Sequence, residues 1–190
     1  MSNIEIDTPE QGDNAFKSKA ALIVSIFAMI LALSNIGSSN ASGEATEQNI
    51  LAANVYSFFQ AKNIRQTQYK LSADNLEISL ASSEKLSPAA RALMEKKLEN
   101  YKKTIERYES EPETGEGKKE LLNKAKEHEK IRDKALLKDP WFDYAEGLLQ
   151  VSIVLASVAI VTSTPVLLSG SVILGVLGTL STINGYYLFF

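Results

Sequence analysis

Residues 147–190, GLLQVSIVLASVAIVTSTPVLLSGSVILGVLGTLSTINGYYLFF, contain no charged side chain in 44 positions. A single helix of this length would measure about 66 Å, twice the thickness of a bilayer's hydrocarbon core. Ser163-Thr164-Pro165 offers a break, because proline disfavours helix in the residue before it. The stretch therefore predicts a hairpin of two transmembrane helices, at 140–163 and 168–190.

Aromatic residues lie near both ends of this predicted hairpin, as expected where helices leave a membrane. Trp141, Phe142 and Tyr144 precede the apolar run, and Tyr186 and Tyr187 lie close to its end. A hairpin would return the second group to the same side of the bilayer as the first.

A further apolar stretch, AALIVSIFAMILALSNIG, begins at Ala20 and predicts a first transmembrane helix at 20–38, after a polar tail at 1–19. The alternative is a secretory signal peptide, with Lys17 and Lys19 as its basic region and cleavage near 40–42. The tail, however, carries four acidic residues, which is unusual for a signal. We therefore favour a retained span.

The residues between these apolar stretches are of the opposite character. Positions 44–139 hold 18 Lys or Arg and 17 Asp or Glu. Such segregation of charge is foreign to a soluble domain, and it indicates a lipid bilayer as partner and an extramembrane domain at 39–139. A whole-chain net charge of −3 gives no reason to expect a nucleic-acid partner.

Composition also bears on chemistry. Cysteine is absent and His128 is the one histidine, so thiolate metal sites and cofactor clusters are excluded and no cofactor is expected. No glycine-rich phosphate loop and no nucleophile elbow occur in the sequence. We expect a protein that is not an enzyme.

The extramembrane domain has the composition of helices. Ile50, Ser57, Ile64, Leu71 and Ile78 recur every seven residues and predict a thin heptad seam in a first helix at about 44–82. Ser87-Pro88 gives a helix cap and first-turn proline. Two apolar stripes follow, which consist of Met94, Leu98, Tyr101, Ile105 and Tyr108, and of Leu121, Ala125, His128, Ile131 and Ala135. Asp139-Pro140 is expected to start the next helix.

Helix lengths then constrain the arrangement. The first helix would rise roughly 58 Å, and the two later ones together about 66 Å. If the segment at 111–117 bends without reversing the chain, the later helices match the first. The prediction is an all-α fold: three transmembrane helices and a long antiparallel, coiled-coil-like hairpin with its tip near 82–87 and a bulge at 111–117.

Small residues recur at helical spacing in each span, and they permit close approach of helices in lipid. Either they pack the three spans of one subunit together, or one stripe faces another subunit. The stripes are Ala21, Ser25, Ala28, Ala32 and Asn35; Ser152, Ala156, Ala159 and Ser163; and Ser171, Gly175, Gly178 and Thr182.

Two groups of residues are candidate sites. The first is a set of polar groups at or within the spans, which are candidates for function by default: Asn35, Glu146, Gln150 and Asn184. Glu146 lies close to Pro140, so it could equally be a solvated carboxylate at the membrane surface. The second is a charge-poor, amide- and aromatic-rich run, NVYSFFQAKNIRQT, whose surface would be inexpensive to desolvate in an interface. Its candidate interface residues are Asn54, Tyr56, Phe58, Phe59, Gln60, Lys62 and Arg65. The alternative is that these aromatic residues pack on the descending helices.

The layout of spans together with Phe58-Phe59-Gln60-Ala61-Lys62 resembles a bacterial family of inner-membrane proteins known as a domain of unknown function. The resemblance implies a bacterial source and three spans, and it supplies no catalytic residue. Members commonly carry a basic loop between the last two spans, where this chain has Ser163-Thr164-Pro165.

Orientation and function follow as expectations. Lys17 and Lys19 before the first span favour a cytoplasmic N-terminus and a periplasmic helical domain, whereas Lys134 and Lys138 argue the other way. We expect a non-enzymatic membrane protein that forms a homo-oligomer or serves as an accessory or scaffold subunit of a larger membrane protein complex. The alternative is a channel or transport component whose polar residues line an oligomeric pore.

Overall fold

The computed structural model describes residues 9–83 and 86–189, with side chains from residue 12 onward. It is all-helical, as predicted, with α1 at Pro9–Ser82, α2 at Pro88–Glu109, α3 at Lys118–Thr162 and α4 at Pro165–Tyr187. The described residues form two compact units. The apolar unit is drawn from Met1–Ala45 and Asp133–Phe190, and the charged unit is Thr46–Arg132.

Three of the four helices, α1, α3 and α4, are long and apolar enough to cross a bilayer. This is consistent with a multi-pass membrane protein. Helix α1 runs without a break from the predicted first span, 20–38, into the predicted extramembrane helix at about 44–82.

In the apolar unit, α3 and α4 run antiparallel. Ser181 Oγ donates to the carbonyl of Trp141 at 2.6 Å, and Ser152 Oγ donates to the carbonyl of Ser171 at 2.7 Å. The ring of Phe142 meets that of Tyr186 edge to face at 5.1 Å. The aromatic residues before and after the apolar run therefore lie together, as the hairpin requires.

The expectation that Asp139-Pro140 starts a helix is wrong, because Pro140 lies inside α3. Proline removes one main-chain hydrogen bond and strains the preceding turn. Ala135 and Phe142, on either side of it, are both buried. Packing of these flanking turns holds the helix through the proline.

In the charged unit, α1 pairs with α2 along one part of its length and with the first part of α3 along another. Both partners run antiparallel to α1. Lys102 of α2 forms an ion pair with Glu77 at 2.6 Å, and Gln66 bonds the Ile105 carbonyl at 2.9 Å. Further along, His128 of α3 meets Gln48 at 2.7 Å. The capping prediction for α2 is confirmed, since Ser87 accepts a hydrogen bond from the Ala90 amide. Of the predicted tip, residues 84 and 85 lie outside the described residues.

The seam predicted for this hairpin is wrong. Ile50, Ile64, Leu71 and Ile78 are 55–64% exposed. The buried positions of α1 in the charged unit follow a different heptad register, occupied by Ala52, Lys62, Gln66 and Ala73. This face of α1 carries small and long polar side chains, because the large apolar side chains of the contact come from α2 and α3. The predicted apolar stripe of α2 is half-buried along its length.

Candidate functional site

The helix break between α2 and α3 is closed by hydrogen bonds of side chains and main chain. Glu120, in the first turn of α3, accepts hydrogen bonds from Ser110 Oγ at 2.6 Å and from the Glu111 amide at 3.1 Å. These two bonds, the hydroxyl first, lower the pKa of the Glu120 carboxyl. Gly115 adopts a φ of 68°, which glycine tolerates without strain. The predicted bulge is thus a closed, hydrogen-bonded turn.

A polar cluster anchors this turn to α1, and we define it as Lys62, Gln66, Glu109 and Lys118. Gln66 is 1% exposed and is satisfied on both sides. Its Nε2 donates to the Ile105 carbonyl at 2.9 Å and to Glu109 at 3.0 Å, while its Oε1 accepts from Lys118 at 2.8 Å. The bonds from Gln66 and Lys118 lower the pKa of Glu109. A buried amide with all these partners specifies how the helices pair.

Lys62 is the charged residue that this arrangement buries, at 6% exposure. Its ammonium lies 3.4 Å from Glu116 and 3.7 Å from Glu111, both on the turn. It also lies 5.5 Å from the ring centre of Phe58 and 5.6 Å from that of Tyr108. Paired carboxylates and aromatic faces compensate for the desolvation of the charge.

The structure divides the predicted interface residues between two faces of α1. Lys62 is buried in the hairpin, and Phe59 and Tyr56 are half-buried on the same side. The ring centre of Phe59 lies 5.9 Å from the ammonium of Lys118. Desolvation of the Tyr56 hydroxyl and the nearby Glu129 carboxylate both raise the pKa of Tyr56. The remaining four predicted residues are exposed: Asn54, Phe58, Gln60 and Arg65. Part of the run therefore packs in the hairpin, and its four exposed residues remain a candidate interface.

His128 is part of the helix pairing. Its Nδ1 lies 2.7 Å from Gln48 Oε1, an acceptor, so this contact places the ring proton on Nδ1. Among residues 12–83 and 86–189, no group of three or more His, Asp or Glu side chains is arranged to hold a metal ion.

The candidate polar residues of the apolar unit also have different surroundings. With its amide nitrogen facing α3, Asn35 donates to Glu146 at 2.8 Å. Asn184 is buried, and its side-chain oxygen accepts from the Phe189 amide at 2.8 Å, which caps the end of α4. Gln150 is exposed. The structure joins Asn35 to Glu146 and leaves Gln150 on the surface.

The small-residue stripes differ in the same way. The stripe of α4 is buried, and so are Ser152, Ala156 and Ala159 of α3. The stripe predicted in α1 is exposed. Helix α1 packs instead through Phe27, Ser34 and Gly37, none of which belongs to the predicted stripe. A prediction based on the spacing of small residues missed this face, because Phe27 is large. The Phe27 ring occupies the space that a Cβ on Gly175 would need.

An apolar groove lies on the outside of this packing. It has a volume of about 390 Å³ and is lined by Ile30, Leu33, Thr179, Thr182, Ile183, Tyr186 and Tyr187. The Tyr186 hydroxyl donates to the carbonyl of Leu33 at 2.9 Å, which closes one side of the groove.

Comparison with known proteins places the chain in a family. No curated protein and no solved structure matches it. A family model described as Domain of unknown function (DUF4337) matches residues 16–188, which include the Phe58-Phe59-Gln60-Ala61-Lys62 motif, and the chain belongs to that family.

Proposed function

We propose that this protein is a non-enzymatic integral membrane protein of the bacterial inner membrane that assembles into a homo-oligomer and acts as a scaffold or accessory subunit. One observation carries the proposal: Phe58 remains 41% exposed on α1, with Asn54 and Arg65 exposed on the same side of the helix. An aromatic and amide surface with little charge loses little solvation when a partner covers it.

The aromatic pair offers a matched test, because its two members differ only in environment. Phe58→Ala removes a ring that is largely exposed and lies 5.5 Å from the Lys62 ammonium, whereas Phe59→Ala removes one that is half-buried beside Lys118. We expect Phe58→Ala to reduce the mass of the complex extracted in mild detergent, with helix content unchanged. Phe59→Ala should lower the thermal stability. If the mass of the complex is the same in Phe58→Ala as in the wild type, this surface is not part of the interface.

The mass of the native complex tests the function itself. A particle of one component, several times 20.8 kDa, is the expected result. Co-purification with larger proteins at a fixed ratio makes the chain an accessory subunit of that complex. A monodisperse single copy contradicts both forms of the proposal.

We further propose that the N-terminus is cytoplasmic and the charged unit periplasmic, as Lys17 and Lys19 suggest. Since the chain has no cysteine, Lys96→Cys provides one reporter in the charged unit. It should react with a membrane-impermeant maleimide on cells whose outer membrane has been opened. If the cysteine is labelled only after lysis of the inner membrane, the charged unit is cytoplasmic and the proposed orientation is wrong.

A channel is the second candidate, and Gln150 favours it. This amide is exposed on α3 one turn beyond Glu146, so copies of the chain could present it to a shared pore. Gln150→Leu should then reduce conductance in planar bilayers, with Val151→Leu, exposed on a different face of the same helix, as control. Absence of conductance from the wild-type protein excludes this candidate.

A further inference from the structure

A second heptad pattern runs along the exposed face of α1 in the charged unit. One set of positions, Ile50, Ser57, Ile64, Leu71 and Ile78, repeats every seven residues. A second set, Asn54, Ala61, Gln68 and Asn75, lies between them at alternating spacings of four and three. All nine residues are exposed in the structure. We define these nine residues as the outer seam.

We propose that the outer seam is a parallel, in-register coiled-coil interface with a second copy of this chain. This inference rests on the proposed assembly into a homo-oligomer and assigns the surface that carries it. Isoleucine or leucine occupies four of the five positions of the first set over four heptads, and such a recurrence is the pattern of a coiled coil. The seam is about 42 Å long at 1.5 Å per residue.

The residues of the seam select an identical partner. In a parallel in-register pair, each layer contains the same residue from both helices. Ile64 then meets Ile64 and Leu71 meets Leu71, while Asn54 and Asn75 each meet their own counterpart. An amide both donates and accepts, so two asparagines satisfy each other. An antiparallel pair would place most of the amides opposite an isoleucine or leucine and leave them without an amide partner in the interface.

Charge supports the same partner. None of the nine seam residues is ionisable, so identical copies meet without repulsion. In the parallel register, a residue on one flank faces the residue five positions later on the other helix. Gln60 then faces Arg65, and Asp74 faces Ser79. Neither contact sets like charges together. Copies inserted in one bilayer share one topology, which makes their α1 helices run in the same direction.

Disulfide cross-linking in native membranes tests the outer seam, because the chain contains no cysteine of its own. Ile64→Cys and Leu71→Cys are seam variants, and Asn63→Cys and Lys70→Cys are controls one position away, also exposed. After oxidation, the seam variants should give a band of twice 20.8 kDa. Its yield should exceed the control yield at least about fivefold, because a disulfide needs Cα atoms within about 7 Å.

A charge within the seam gives a second measurement. Adding Ile64→Glu to the Leu71→Cys variant places like charges in one layer and should abolish the cross-link. Asn63→Glu in the same background should leave it intact.

Each other outcome overturns the inference in a distinguishable way. A native particle of several copies without seam-specific cross-links overturns the outer seam and leaves the homo-oligomer standing. A single-copy particle without cross-links overturns both. A cross-linked band that contains a different protein assigns the seam to another partner and overturns the proposal of a second copy.

Discussion

Gln66 Nε2 donates a hydrogen bond of 2.9 Å to the main-chain carbonyl of Ile105, near the end of α2. The same nitrogen donates to Glu109, and the amide oxygen accepts from Lys118 at the start of α3. One buried side chain of α1 thereby fixes the end of one helix and the beginning of the next. Gln66 therefore bonds both of the helices that pair with α1.

We expect Gln66→Ala to destabilise the charged unit by roughly 2–3 kcal/mol, because it removes the three hydrogen bonds that the buried amide makes to α2 and α3. Thermal unfolding of the full chain in detergent, followed by far-UV circular dichroism, measures the effect. Asn63→Ala, on the exposed face of the same helix, is the control and should change stability by less than about 0.5 kcal/mol. Equal effects of the two variants would mean that Gln66 does not hold the helix break.

Acid should loosen the turn between α2 and α3. Hydrogen bonds from Ser110 and Glu111 lower the pKa of Glu120 in the folded protein. Its stabilising contribution is therefore complete above the unfolded pKa of about 4.3 and is lost as the pH falls through the lower folded value. Glu109, bonded to Gln66 and Lys118, shifts in the same direction.

The thermal midpoint should accordingly stay constant above about pH 5 and decrease as the pH is lowered from about 5 to about 3. Glu120→Gln should have a lower midpoint than the wild type at neutral pH and a smaller loss on acidification. Glu113→Gln, exposed in the same turn, is the matched control and should keep the wild-type dependence. A wild-type slope in Glu120→Gln would exclude this carboxylate as the acid-sensitive group.

How far the sequence could predict this fold is seen in particular residues. The uncharged tail and the serine–proline cap of α2 are strong local signals, and the predicted all-helical class is confirmed. The inner face of α1 was missed because its heptad contains Lys62 and Gln66, which a hydrophobic pattern rejects. Their burial depends on Glu109, Glu111, Glu116 and Lys118, more than 40 residues away. Pairing over that separation leaves no trace in local spacing.

The limits of local sequence patterns also explain why the surface of α1 could be predicted only in part. The exposed heptad of α1 was visible as a pattern, but periodicity alone does not say whether a seam faces its own hairpin or a neighbour. At Pro140 a strong local signal gave a wrong prediction. Proline indicates a helix boundary, but buried packing at Ala135 and Phe142 keeps the helix continuous.

Phe142 should be the most sensitive residue of the apolar unit. Its ring is 1% exposed and occupies the space beside Gly37 of α1 and Gly185 of α4. Phe142→Ala removes a contact common to three helices and should cost about 3 kcal/mol. Unfolding in mixed micelles measures this, with Phe189→Ala, an exposed ring near the C-terminus, as control. A cost below that of the control would mean that the helices close over the lost ring.

The reciprocal pair Ser152 and Ser171 predicts a measurable coupling between α3 and α4. Each hydroxyl donates to the main-chain carbonyl of the other residue at 2.7 Å, and both are buried. Hydrogen bonds between helices in lipid contribute about 0.6 kcal/mol on average and up to about 1.7. A double-mutant cycle of Ser152→Ala and Ser171→Ala should therefore give a coupling of about 1 kcal/mol. Ser157→Ala is the control, since its hydroxyl bonds only the Ile153 carbonyl of its own helix in the structure. Strictly additive effects of the two serine variants would show that α3 and α4 are held by packing alone.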